Sequence, residues 1–136
     1  IGDKAVNIAE SALELIGKQR TKPLIDITKM RDQTIRMIED SICAFINEDV
    51  SLAYEVLKKD DIVDSIRDQI LRELITYMSS DPKIVEPSLH LLRIARNLEK
   101  IADITSNICE DAVYISEGKI IKHHYPDISS EGAEKK

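Results

Sequence analysis

Apolar positions recur at spacings of three and four along most of the chain, a period that predicts helices. Ile1, Ala5, Ile8, Ala12 and Leu15 share one face of a helix over Ile1–Ile16, with Gly17 as its stop. Pro23 suits the first turn of a second helix, 23–46, to which Leu24, Ile27, Ile35, Ile38, Ile42 and Phe45 give an apolar face. Asn47-Glu48-Asp49 reads as a turn. Asp49 or Ser51 then caps a third helix, 49–79, with Ala53, Val56, Leu57, Val63, Ile70, Leu71 and Leu74 inward.

Asp81-Pro82 is a cap followed by a good first helical residue, and opens a fourth helix, 82–117. Pro87 deep in that helix would cost about 3 kcal/mol, so a short turn and a fresh start near Pro87 are expected. Ile94, Ile101, Ile108 and Ile115 recur every seven residues, flanked by Leu91, Leu98 and Ala112. The loops between the second, third and fourth helices are short, which predicts antiparallel neighbours in an all-α, up-down-up three-helix bundle.

The chain also repeats itself. Ile1 to Ala12 (IGDKAVNIAESA) lies over Ile101 to Ala112 (IADITSNICEDA) with half of the positions identical, and both copies run on to a Gly-Lys. The period is roughly a hundred residues. Residues 1–17 therefore read as the end of a first repeat, 18–124 as a second repeat, and 125–136, without periodicity, as a frayed tail. The first copy starts in mid-motif, since the counterpart of Glu99 would fall before Ile1, and the expectation is a first repeat without its opening helices. Its apolar face then needs cover, and a homodimer is the expected remedy.

Composition narrows the function. The 136 residues are 43% hydrophobic but include one Phe, four Tyr and no Trp, too few aromatics for a base- or sugar-stacking platform. A net charge of −6 opposes binding to a phosphate backbone, so direct nucleic-acid binding is not expected. Cys43 and Cys109 lie inside helical patterns without metal-type spacing, pointing to a reducing, cytoplasmic setting. No apolar run reaches the length of a membrane span.

The candidate chemistry is acidic. Glu99, Asp103, Asn107 and Glu110 follow one another at helical spacing and share one side of the fourth helix beside its apolar stripe. Asp60 and Asp64 form an i, i+4 pair on the third, and antiparallel packing brings the two groups to matching levels. Two such carboxylates repel by about 3 kcal/mol at about 5 Å and an effective dielectric of about 20. Protons, Arg partners or a cation must relieve that. All-oxygen ligands favour hard ions such as Mg²⁺, Mn²⁺, Ca²⁺ or iron over a thiolate zinc site. The bland alternative is a solvated acidic face with Arg96 paired to Glu99. None of His90, His123 and His124 follows a Glu by three, as a di-iron carboxylate bundle enzyme would require, and no phosphate loop or nucleophile elbow is present.

The stretch DPKIVEPSLHLLRIARNLEKIADITSNICEDAVYISEGK, with its Asp-Pro start, IAR-x-LE-x-I-x-D core and N-I-x-E continuation, resembles the third helix of a repeat in the PhoU phosphate-uptake regulators. IGDKAVNIAE resembles the same segment of a first repeat, and DDIVD the acidic pair of a middle helix. Ala102 stands where the family usually has Gly. The resemblance implies a PhoU-like three-helix fold and a metal ion (iron, manganese, magnesium or zinc) on the Glu/Asp-x-x-x-Asp motifs, which fall on Asp60 with Asp64, on Glu99 with Asp103, and on Asp3 alone. It further implies a non-enzymatic cytoplasmic regulator, peripheral to the inner membrane through its partners, that couples a phosphate ABC transporter ATPase to a sensor histidine kinase. A carboxylate-bridged metal enzyme, or a PhoU-like accessory domain of a larger transporter or regulator, is the alternative.

Overall fold

The computed structural model describes residues 1–18, 24–118 and 121, the side chains of Leu24 and Ile25 excepted. Residues 19–23, with Pro23, residues 119–120 and those from Lys122 on, including His123, His124 and the expected tail 125–136, lie outside the described residues. The described residues form four α-helices, α1 (Gly2–Leu15), α2 (Leu24–Asn47), α3 (Val50–Ser80) and α4 (Val85–Glu117), the last entered through a 3₁₀ turn at Pro82–Ile84. Helices α2, α3 and α4 pack against one another as an up-down-up bundle, while α1 lies against α4 alone among the described residues. Lys59 of α3 bonds Asp40 of α2, and Arg67 of α3 bonds Glu99 of α4. Asn7 meets Asn97 and Lys18 meets Glu86, so α1 runs antiparallel to α4. Helix α4 touches all three others and is the centre of the molecule.

The helix ends follow from local chemistry. The Asp49 carboxylate accepts from the Leu52 amide at 2.9 Å and starts α3. Ahead of it Glu48 adopts φ 51°, and the Asp49 amide bonds back to the Ala44 carbonyl at 2.9 Å, a left-handed helix stop that usually takes Gly. Asp81 caps the 3₁₀ turn through the Lys83 amide. Helix α4 begins at Val85, so Pro87 is its third residue, where a missing N–H breaks no helical bond. Gly118, at φ 66°, ends it.

The core departs from the expected faces in two helices. In α2 the inward row is Ile27, Met30, Thr34, Met37, Ser41 and Ala44, a heptad stripe, while Ile35, Ile42, Phe45 and Ile46 are exposed. The buried hydroxyls are satisfied within the helix, Thr34 Oγ1 donating to Met30 O and Ser41 Oγ to Ile38 O, each at 2.8 Å. That removes the cost of burying them and lets small residues face α3 and α4 closely. In α1 the face on α4 is Lys4, Asn7, Ile8, Ser11 and Leu15, with Ser11 buried, whereas Ile1, Ala5 and Ala12 are exposed. The internal repeat explains this offset. Exposed Ile1, Ala5, Val6, Ala9, Ala12 and Leu13 occupy the repeat positions of Ile101, Thr105, Ser106, Cys109, Ala112 and Val113, every one of them buried in α4 by α2 and α3 or by the helix crossing. Helix α1 carries the same stripe without the two helices that would cover it. Ile115, at the far end of α4, is 61% exposed.

Candidate functional site

Ala53, Asp60, Arg67 and Leu74 stand seven residues apart on α3, so a single heptad row carries all four to the bundle interior. Ala53 and Leu74 are fully buried at its two ends. The charged pair between them sits on the α3–α4 seam, opposite Glu99, Asp103 and Ser106. Asp60 is half-buried, its Oδ1 is inaccessible to solvent, and neither that oxygen nor Ser106 Oγ makes a hydrogen bond of acceptable geometry. Burial first, then the fields of Asp64, Asp103 and Asp61, push the Asp60 carboxyl up to about 6, with the nearby Ser106 hydroxyl acting in the opposite sense. Asp64 is also raised, by burial and by Asp103, although Arg67 counters the rise.

Asp60, Asp64 and Asp103 are thus brought into one field. Glu99 is engaged elsewhere, accepting from Arg67 Nη1 at 2.7 Å, and the same nitrogen reaches Asp64 Oδ1 at 3.4 Å. Asp103 accepts from Lys100 Nζ at 2.8 Å. The Arg96–Glu99 pairing that the bland alternative invoked along α4 is replaced by this crossing between helices. A guanidinium that spans Asp64, Asp68 and Glu99 outcompetes a single exposed i, i+3 contact. Asn107 is exposed and Glu110 half-buried, the latter adding to the field on Cys109. Asp3 is 74% exposed on α1, beside Lys4 and the terminal amine, on a helix that does not touch α3, and so stands apart from the other four.

In this arrangement no three His, Cys, Asp or Glu side chains among the described residues are gathered closely enough to hold a metal ion. The donor chemistry nevertheless fits a hard cation. The seam offers oxygen ligands only, and Asp60 brings a buried, partnerless carboxylate oxygen to it. Asp60, Asp64 and Asp103 are the residues that would hold such an ion, and Glu99 would join them only when Arg67 releases it.

Sequence reasoning missed three participants. Arg67 was legible as the heptad partner of Asp60. Lys100 and Ser106 lie three residues before and after Asp103 on a helix, positions that look ordinary until α3 supplies the facing wall. Cys109 is buried and its thiol is pushed up to about 12, chiefly by burial, while Cys43 is exposed, and both are free thiols. His90 is half-buried with Nδ1 unpartnered.

This bundle of three long antiparallel helices is that of a known class, and the chain belongs to the PhoU family: residues 27–112 match the PhoU domain, from the first core residue of α2 to near the end of α4. The chain is 42% identical over 125 residues to the "Phosphate-specific transport system accessory protein PhoU homolog" of Aquifex aeolicus, covering 92% of this chain and 57% of that protein. Its fold is similar to the crystal structure of PhoU from Pseudomonas aeruginosa, with a TM-score of 0.83 at 32% identity over 87% of this chain and 57% of that one. It is likewise similar to the phosphate transport system regulatory protein PhoU from Streptococcus pneumoniae, with a TM-score of 0.81 at 27% identity over 89% and 57%. The chain spans about half the length of the relatives it matches. Among the described residues no helix is long and apolar enough to cross a membrane.

Proposed function

We propose that this chain acts in, or as part of, a phosphate-transport accessory protein that regulates by binding and does not itself turn over a substrate. The observation that carries the reading is the PhoU-domain match over α3 and most of α4, supported by a 42% identical relative named for that role. Its partners are then a phosphate ABC transporter ATPase and a sensor histidine kinase, met in the cytoplasm at the inner membrane, and phosphate-starvation genes are repressed through that contact. The direct test is capture of the purified transporter ATPase on the immobilised chain. Saturable binding supports the reading, and a hydrolase or oxidase activity that co-purifies with the chain and vanishes in Asp60→Asn overturns it.

The seam carboxylates give this regulator a cation site. An ion such as iron, manganese, magnesium or zinc, when bound, supplies positive charge that offsets the mutual repulsion of Asp60, Asp64 and Asp103. The chain's own part is to hold these carboxylates on two rigid helices and to keep Arg67 and Lys100 as alternative counter-charges when no cation is bound. The uncovered stripe of Val6 and Leu13 on α1, with Ile16 just past its end, is the surface through which two copies would associate.

A further inference from the structure

Two of the seam's four carboxylates already hold a positive charge that belongs to the chain. Arg67 Nη1 lies 2.7 Å from Glu99 Oε1 and 3.4 Å from Asp64 Oδ1, so one nitrogen joins the acidic motif of α3 to that of α4. A cation bridging the two motifs would need those same two oxygens. The rest of the fork, Nε and Nη2, is tied to Asp68 Oδ1 at 3.1 and 2.8 Å, which fixes the direction in which Nη1 points.

The two counter-charges at the seam are not equivalent. The Arg67 and Glu99 side chains keep only 26% and 17% of their surface in solvent, and a charge-assisted bond held by a planar fork is strong there. The Lys100–Asp103 pair lies in the open along one helix, where an ion pair contributes little. Lys100 therefore gives up Asp103 readily, and Arg67 does not give up Glu99. Asp60 stands outside both pairs. Its Oδ1 is out of solvent and unpartnered, as is the Oγ of the neighbouring Ser106, a residue only 7% exposed.

We infer, resting on the cation site proposed above, that Arg67 is a tethered competitor for that cation: it holds Asp64 and Glu99 as a bound ion would, and so sets how much free cation the site needs before it fills. A neutral side chain in its place leaves Glu99 free to join Asp60, Asp64 and Asp103. The ion then loses a rival and gains a fourth carboxylate. Arg96 supplies the control, since it lines the same groove beside the seam as Arg67 and Glu99, carries the same charge and makes no ion pair among the described residues. Removing Arg96 changes the local charge without freeing a carboxylate.

Calorimetric titration of the chelator-stripped full chain with Mn²⁺ at pH 7.5 compares the wild type with Arg67→Met, Arg96→Met and the double variant Arg67→Met/Glu99→Gln. Arg67→Gln is a second neutral replacement, and circular dichroism of each variant confirms its helices first. Both Arg67 variants are expected to bind at least about tenfold more tightly than the wild type, Arg96→Met to stay within about twofold of it, and the double variant to lose most of the gain. The same Mn²⁺ concentration should also raise the melting temperature further in Arg67→Met than in the wild type. Unchanged or weaker binding in the Arg67 variants, an equal gain in Arg96→Met, or a gain that survives Glu99→Gln overturns the inference and leaves the cation site in place. Absence of binding in the wild type and both Arg67 variants alike, up to millimolar Mn²⁺, overturns the cation site and the competitor together.

Discussion

Asp60 concentrates the tension of this molecule in one side chain. Folding moves its carboxyl from an ordinary value of 3.8 up to about 6, so between roughly pH 4 and 6 the folded chain holds a proton that the unfolded chain has lost. Stability is therefore fully favoured below that window and falls as pH rises through it, in the chain freed of metal. Asp60→Asn removes the ionisation and keeps the shape. It should raise the melting temperature at pH 7.5 by a few degrees, on the order of 1 kcal/mol once solvent screening at this half-buried site is allowed for, and flatten the pH dependence. Differential scanning calorimetry at pH 4.5, 6 and 7.5 reads both effects. Glu48 is a second strained position, since its left-handed backbone favours Gly. Glu48→Gly is expected to stabilise by roughly 0.5–1 kcal/mol in urea unfolding, as the C-terminal stop of α2 no longer forces a side chain into that region.

Helices were legible where caps and periods agreed, and faces were not where two stripes competed. Asp49, Asp81, Pro87 and Gly118 set the boundaries of α3 and α4 by backbone chemistry alone, and the structure places those boundaries within a residue or two of expectation. Helix α2 carries an isoleucine stripe, Ile35 and Ile42 with Phe45, and a quieter one of Met30, Thr34, Met37 and Ser41. Side-chain hydrophobicity favours the first. The bundle buries the second, because small hydroxyl residues that satisfy themselves allow close helix approach. The prediction that separates the two is a pair of truncations followed by urea denaturation: Met37→Ala should cost 2–5 kcal/mol as a cavity in the core, and Ile42→Ala no more than about 0.5 kcal/mol. At the candidate site, Asp60, Asp64, Glu99 and Asp103 were readable from spacing and antiparallel register. Their counter-charges were not, because whether Glu99 takes Arg96 on its own helix or Arg67 across the seam depends on side-chain reach, which periodicity does not encode.

At the scale of the molecule, α4 is buried from three sides and α1 from one, although the two helices share a sequence pattern. The exposed stripe of α1 should behave as an interaction surface: sedimentation of the chain is expected to show self-association that Leu13→Glu abolishes without loss of helicity. The central claim is narrower and concerns the seam, where two rigid helices hold Asp60, Asp64 and Asp103 in one field with Arg67 and Lys100 as stand-in counter-charges. Calorimetric titration of the chelator-stripped chain with Mn²⁺ at pH 7.5 tests it most directly. Saturable binding that weakens at least tenfold in Asp60→Asn, and that fades at pH 5 as the Asp60 carboxyl takes up its proton, is the predicted result. No binding up to millimolar Mn²⁺, or equal affinity in Asp60→Asn and Asp103→Asn, would contradict it and leave the seam an acidic helix face neutralised by Arg67 and Lys100 alone.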